Sequence, residues 1–172
     1  MAIDIAKVLD IDLSGIPKEN KEEAKEQIKE YLVDTILDYV SKGQSPVSGG
    51  KWKELSPSYK KEKSKISGSS KANMELYGDM LDDLYAEFKG SKLKVGFFGD
   101  NASEESKLKA ENHNKFTKRS KKKVAKGSPS GRGGQLKVPE RNFIPRKGQN
   151  FKRDIMQDIG AIIDEYRDAS QD

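Results

Sequence analysis

Three observations predict an α+β fold, with a small antiparallel sheet packed against long N- and C-terminal amphipathic helices and a long basic loop. Residues 18–42 carry Ala24, Ile28, Leu32, Ile36 and Val40 at a spacing of four, the period of one buried helix face. Phe151, Ile155, Ile159, Ile162 and Tyr166 recur at four, four, three and four near the end of the chain, again a helix stripe. Between these helices, residues 92–98 alternate Leu93, Val95 and Phe97 with Lys92, Lys94 and Gly96, the period of a half-buried strand.

The 172 residues suit one domain, 1–172. Hydrophobic residues make up 33% and charged residues 35%, against roughly 45–50% (glycine included) and about 25% in ordinary globular chains. Little apolar area is therefore available per ordered residue, and part of the chain is expected to be fixed only against a partner. With no cysteine, neither disulfides nor thiolate metal sites are available. No apolar run approaches the roughly 20 residues that span a bilayer, and "MAIDIAKVLDIDLSG" lacks the continuous apolar core of a signal peptide. The expected location is a cytoplasm, or something assembled there, with no membrane partner.

Taken in order, residues 1–17 mix isolated apolar residues with aspartates and end at Gly15-Ile16-Pro17, an N-terminal arm. Helix 18–42 stops at Gly43. Residues 43–72 form a Gly/Ser/Pro/Lys-rich loop pinned by Trp52 and Leu55, in which Ser56-Pro57 opens a short helix through Tyr59 and Lys60. A helix is predicted over 73–88, with Met74, Tyr77, Leu81, Leu84, Tyr85 and Phe88 three and four apart and Gly90 to end it. After the strand, Ser103 caps another helix carrying Leu108, Ala110 and His113. No period survives over 115–137. Val138 to Pro145 is short and extended, fenced by prolines, and the last helix is predicted over 148–168.

Charge is unevenly placed. From Lys115 to Lys137 there are nine Lys/Arg and no Asp or Glu, so with a net charge of +5 the remainder carries 5 − 9 = −4. Lys118, Arg119, Lys121, Lys122, Lys123, Lys126, Arg132 and Lys137 are the candidate contacts to a polyanion or an acidic protein surface. Phe116 alone interrupts the run with an aromatic ring, so base stacking is not indicated.

Catalytic constellations are nearly absent. His113 is the only histidine, and a lone histidine near a helix end fits a capping role better than catalysis. Asp82-Asp83 and Glu104-Glu105 are adjacent in sequence, so on helices their carboxylates diverge by about 100° and do not converge on a metal. "GRGGQ", 131–135, lacks the Gly-Lys-Ser/Thr ending of a phosphate loop. A non-enzymatic protein without cofactor is expected.

The order of short motifs is more informative than any one of them. "WKELSPSYKKEKSK" (52–65), "LYGDMLDDL" (76–84), "LKVGFFG" (93–99), "KAENHNKF" (109–116) and "VPERNFIP" (138–145) precede a C-terminal amphipathic helix. This succession resembles the phage virion-morphogenesis family, the tail-completion and neck proteins of tailed bacteriophages. The matching positions include Trp52, Leu55, Ser56, Tyr59, Lys60, Gly78, Val95, Gly96, Ala110, His113, Asn114, Arg141 and Phe143. The chain departs from the family pattern at Glu140 and Asn142, which flank Arg141 where a small residue and a proline are usual, and in its long basic insert. The resemblance implies a structural subunit of the head–tail junction, usually a ring and expected as a hexamer. It would join the tail terminator or tube to head-completion or connector proteins, with transient contact to packaged DNA. A nucleic-acid-binding accessory protein acting through 115–137 is the alternative from another class.

Overall fold

Alternation builds the sheet and a spacing of four builds the helices that cover it. The computed structural model describes residues 2–52, 54, 57–67, 79–114 and 140–169. Its elements are β1 (Ile5–Asp10), α1 (Lys18–Ser41), α2 (Pro57–Ser67), α3 (Asp79–Asp82), β2 (Tyr85–Lys89), β3 (Lys92–Phe97), a 3-10 turn (Gly99–Asn101), α4 (Glu104–Asn114) and α5 (Arg153–Asp168). The α+β fold predicted from the sequence is what the chain forms.

Two antiparallel pairings give a sheet of order β1-β3-β2. Ile5 and Leu9 stand opposite Phe97 and Leu93, and with Val95 these five side chains, each at most 4% exposed, form the buried centre of the inner face. Onto this face come Ala24, Ile28, Leu32, Ile36 and Val40 of α1, all 0% exposed. α5 packs along α1 through Ile155, Ile159 and Ile163. Each buried Val, Leu or Ile side chain stabilises the fold by roughly 1.5–3 kcal/mol relative to exposure, which is how a chain of low apolar content still holds a core.

Three expectations are corrected. Residues 1–17 are not simply an arm: Ile5–Asp10 form edge strand β1, because Ile5 and Leu9 on one face complete the apolar surface that β3 begins. In its described part the helix expected over 73–88 is formed only as the single turn α3. After the single turn α3, the chain becomes β2, because Ala86 and Phe88 alternate against Val95 and Leu93. Gly90, expected to end a helix, adopts φ +63° and with Ser91 closes the two-residue β2–β3 hairpin, where a left-handed residue is required. α5 begins at Arg153, not 148. Residues 146–149 form a turn (Gln149 N–H to Arg146 O, 2.9 Å), and Lys152 N–H is taken by Pro46 O at 2.9 Å.

Other boundaries agree more closely. α1 spans the predicted helix to within a residue, and α2 opens at Pro57 as expected but runs to Ser67. Ser103 caps α4, its Oγ accepting the Ser106 N–H at 3.1 Å, as an N-cap serine should. Ser103 in turn donates both its N–H and its hydroxyl to Asp83 Oδ2 at 3.0 Å, tying α3 to α4. The Ser103 amide, followed by the Ser106 hydroxyl, outweighs burial and holds the Asp83 carboxyl below its ordinary 3.8. With the folded value depressed, the stabilisation is complete above pH 3.8 and is lost as pH falls through the lower folded value. Asp83→Ala should cost about 1 kcal/mol at neutral pH, and urea titrations should show the gap from wild type closing in acid.

Candidate functional site

On either side of the basic segment in sequence, at the end of α4 and over residues 141–144, the chain builds a buried polar junction. α4 ends at Asn114, which is 0% exposed. Its Nδ2 donates back to Ala110 O at 2.8 Å, satisfying a carbonyl of the last helical turn. Its Oδ1 accepts the N–H groups of both Phe143 and Ile144, each at 2.8 Å. One residue away, Arg141 N–H donates to His113 O at 2.8 Å. The last helix-derived residues before the basic segment are therefore bonded to the first described residues after it.

A second layer fixes the same strip from the other side. Ser45 Oγ donates to Asn142 O at 2.5 Å and accepts the N–H groups of Val47 and Ser48 at 3.1 and 3.2 Å. Gln149 Oε1 accepts Asn142 Nδ2 at 2.9 Å and Arg146 N–H at 3.1 Å. Phe143 and Ile144 are 0% exposed, and the Phe143 ring meets Phe97 edge-on at 5.8 Å. Short extended backbone with no ladder of its own is thus paired almost group by group, as burial demands.

The residues singled out from sequence fall in several places. His113, Asn114, Arg141 and Phe143 are brought together at the junction. Val95 and Gly96 lie next to one another in β3, Val95 0% exposed and Gly96 where an added Cβ would sit 2.1 Å from Ile5 O. Trp52, half-buried against the core, donates its backbone N–H to Gly43 O at 2.8 Å beside the Gln44–Lys51 bridge. Tyr59 belongs to α2. Leu55, Ser56, Gly78 and the candidate contacts Lys118, Arg119, Lys121, Lys122, Lys123, Lys126, Arg132 and Lys137 lie outside the described residues.

Sequence reading missed Ser45 and Gln149, both isolated polar residues in turn-rich stretches whose partners lie on other segments. Lys107 was also missed. Although 7% exposed, it reaches Asp4 Oδ1 at 3.5 Å and Glu104 Oε1 at 3.7 Å. Burial works against the Asp4 charge, but the Gly99 N–H, Lys94 and Lys107 outweigh it and hold that carboxyl below 3.8.

The helix pair presents the acidic side of the body. Glu22, Glu26, Glu30, Asp34 and Asp38 are exposed at a spacing of four along α1, with Glu22, Glu26 and Asp38 paired to Lys25, Lys29 and Lys42, and Asp154 and Asp158 are exposed on α5. Tyr31 and Tyr39 donate to Asp158 and Asp154 at 2.6 and 3.0 Å across the seam. Burial, then the Asp158 bond, pushes the Tyr31 hydroxyl up to about 12.

Among the described residues, no group of three or more His, Asp or Glu is arranged to hold a metal ion, and no helix is long and apolar enough to cross a membrane. Comparison with protein-family models, with curated proteins and with solved structures finds no match to this chain.

Proposed function

We propose that the chain is a structural, non-enzymatic subunit of the neck of a tailed-phage virion. In this reading it is a ring component, of hexameric order, that joins the tail terminator or tube to the head-completion or connector proteins. It is made in the host cytoplasm and retained at the head–tail junction. The observation that carries the reading is the junction. Two pieces that the resemblance aligns on either side of the basic insert, His113-Asn114 and Arg141–Phe143, bond directly to one another. Two further matches, Val95 and Gly96, sit where a buried strand needs them. Motif residues that serve architecture fit a protein whose task is assembly.

A second reading, nucleic-acid binding through 115–137, is favoured by the nine cations without an acid in that segment. One experiment separates the two. The purified protein is added to separated heads and tails from a phage lacking it, and in parallel to duplex DNA across a salt series. Restored joining, with an oligomer in sedimentation, is the expected result. Failure to join, with DNA affinity falling steeply in log salt and flattened by substituting Lys121, Lys122 and Lys123, overturns the first reading in favour of the second.

A further inference from the structure

The sheet has two open edges, for β1 and β2 each pair only with β3 among the described residues. Backbone groups of antiparallel strands alternate between facing the partner and facing away. Ile11 N–H donates to Ser91 O at 2.9 Å, which fixes the phase. Ile5, Lys7 and Leu9 bond toward β3, and the N–H and C=O groups of Ala6 and Val8 turn outward. On the other side Tyr85, Glu87 and Lys89 bond toward β3, leaving those of Ala86 and Phe88 turned outward.

These edges complement each other. β1 and β2 are both antiparallel to β3 and so run in the same direction. Asp10 and Lys89 both face Lys92, Val8 and Glu87 both face Lys94, and Ala6 and Tyr85 both face Gly96. A second copy placed beside the first at the same level brings its β2 parallel to β1, with Val8 opposite Glu87. That is the phase at which the Val8 N–H and C=O reach the outward groups of Ala86 and Phe88. It also sets Asp10 beside Lys89. Within one chain Lys89 stands directly across from Lys92, a like-charge pair offset by Glu87 3.6 Å from Lys89 Nζ and by Asp10 across from Lys92; an incoming carboxylate adds a further anion beside Lys89. Val8, 49% exposed, is one of only three exposed large hydrophobic residues among those described. Neither a proline nor a bulge interrupts β1, so of the usual protections of a free edge it carries only charge, at Lys7 and Asp10.

We propose that the chain assembles head to tail by strand addition, β1 of one copy pairing in parallel with β2 of the next and Asp10 lying beside the second copy's Lys89. Such a contact uses two different surfaces, so it closes into a ring or continues as a filament according to the rotation per copy. It stands on the strand edges alone and holds whether or not the protein works in a virion.

The test uses the full chain in analytical ultracentrifugation. Val8→Pro removes an outward N–H without touching the β1–β3 bonds, and should leave the circular dichroism spectrum unchanged while abolishing the oligomer. Asp10→Lys and Lys89→Asp, each alone, should weaken assembly about tenfold or more at low salt. Mixing the two variants in equal amounts should restore it, because an alternating assembly pairs opposite charges at every joint. A monomeric wild type overturns the proposal. So does an oligomer indifferent to Val8→Pro and to both charge reversals, a result that leaves the head–tail joining experiment unaffected.

Discussion

Gly96→Ala should destabilise the protein by roughly 3–5 kcal/mol, combining a backbone conformation that L-residues avoid with an overpacked site. At φ +141°, a Cβ on residue 96 would lie 2.1 Å from Ile5 O and 2.8 Å from Ala6 Cα. Both obstacles are backbone, so no side chain can swing aside. Relief requires β1 to move off β3, which would pull Ile5 and Leu9 away from the inner face. A domain of this size has a total stability of about 5–15 kcal/mol, so the variant should be marginal or unfolded. Gly160→Ala is the control. Gly160 sits inside α5 with nothing within 4 Å of an added Cβ, and alanine there should stabilise by about 0.5–1 kcal/mol. Urea denaturation of the three proteins measures both effects, and equal behaviour of the two variants would contradict the close β1–β3 approach.

Asn114→Ala should cost roughly 2–4 kcal/mol, since two buried backbone donors lose their acceptor and each orphaned group carries about 1–3 kcal/mol of desolvation. The donors are the Phe143 and Ile144 amides. The loss should be visible at those two positions before it is visible globally. Amide hydrogen exchange should lose protection at Phe143 and Ile144 while β3 stays protected, because the ladder does not depend on Asn114. Protection unchanged at both amides would mean that Asn114 does not hold the returning chain.

These two sites show how far the sequence could be read. Spacing of four revealed α1 and α5 because their stripes are long enough for the period to repeat several times. Alternation in 92–98 revealed β3 for the same reason. β2 was hidden because Leu81, Leu84, Tyr85 and Phe88 mimic a helix stripe. Only the pairing of Ala86 and Phe88 with Val95 and Leu93 resolves the ambiguity, and that pairing is tertiary. β1 mixes Lys7 and Val8 against the pattern, since an edge strand exposes part of each face. At the junction, Asn114 and Phe143 were recognisable as motif positions, but the purpose of the asparagine was not. Its partners are 29 and 30 residues away, beyond any local pattern. The basic segment, legible by charge alone, lies outside the described residues.

The meeting of Arg141 with His113 also bears on how the insert can change. When the two ends of a loop are already held together by the body, the free energy of closing it grows only as the logarithm of its length, about 0.6 kcal/mol for each doubling. Lengthening, shortening or replacing the stretch between them is then nearly neutral for folding. The body can keep its architecture while the sequence of that stretch diverges.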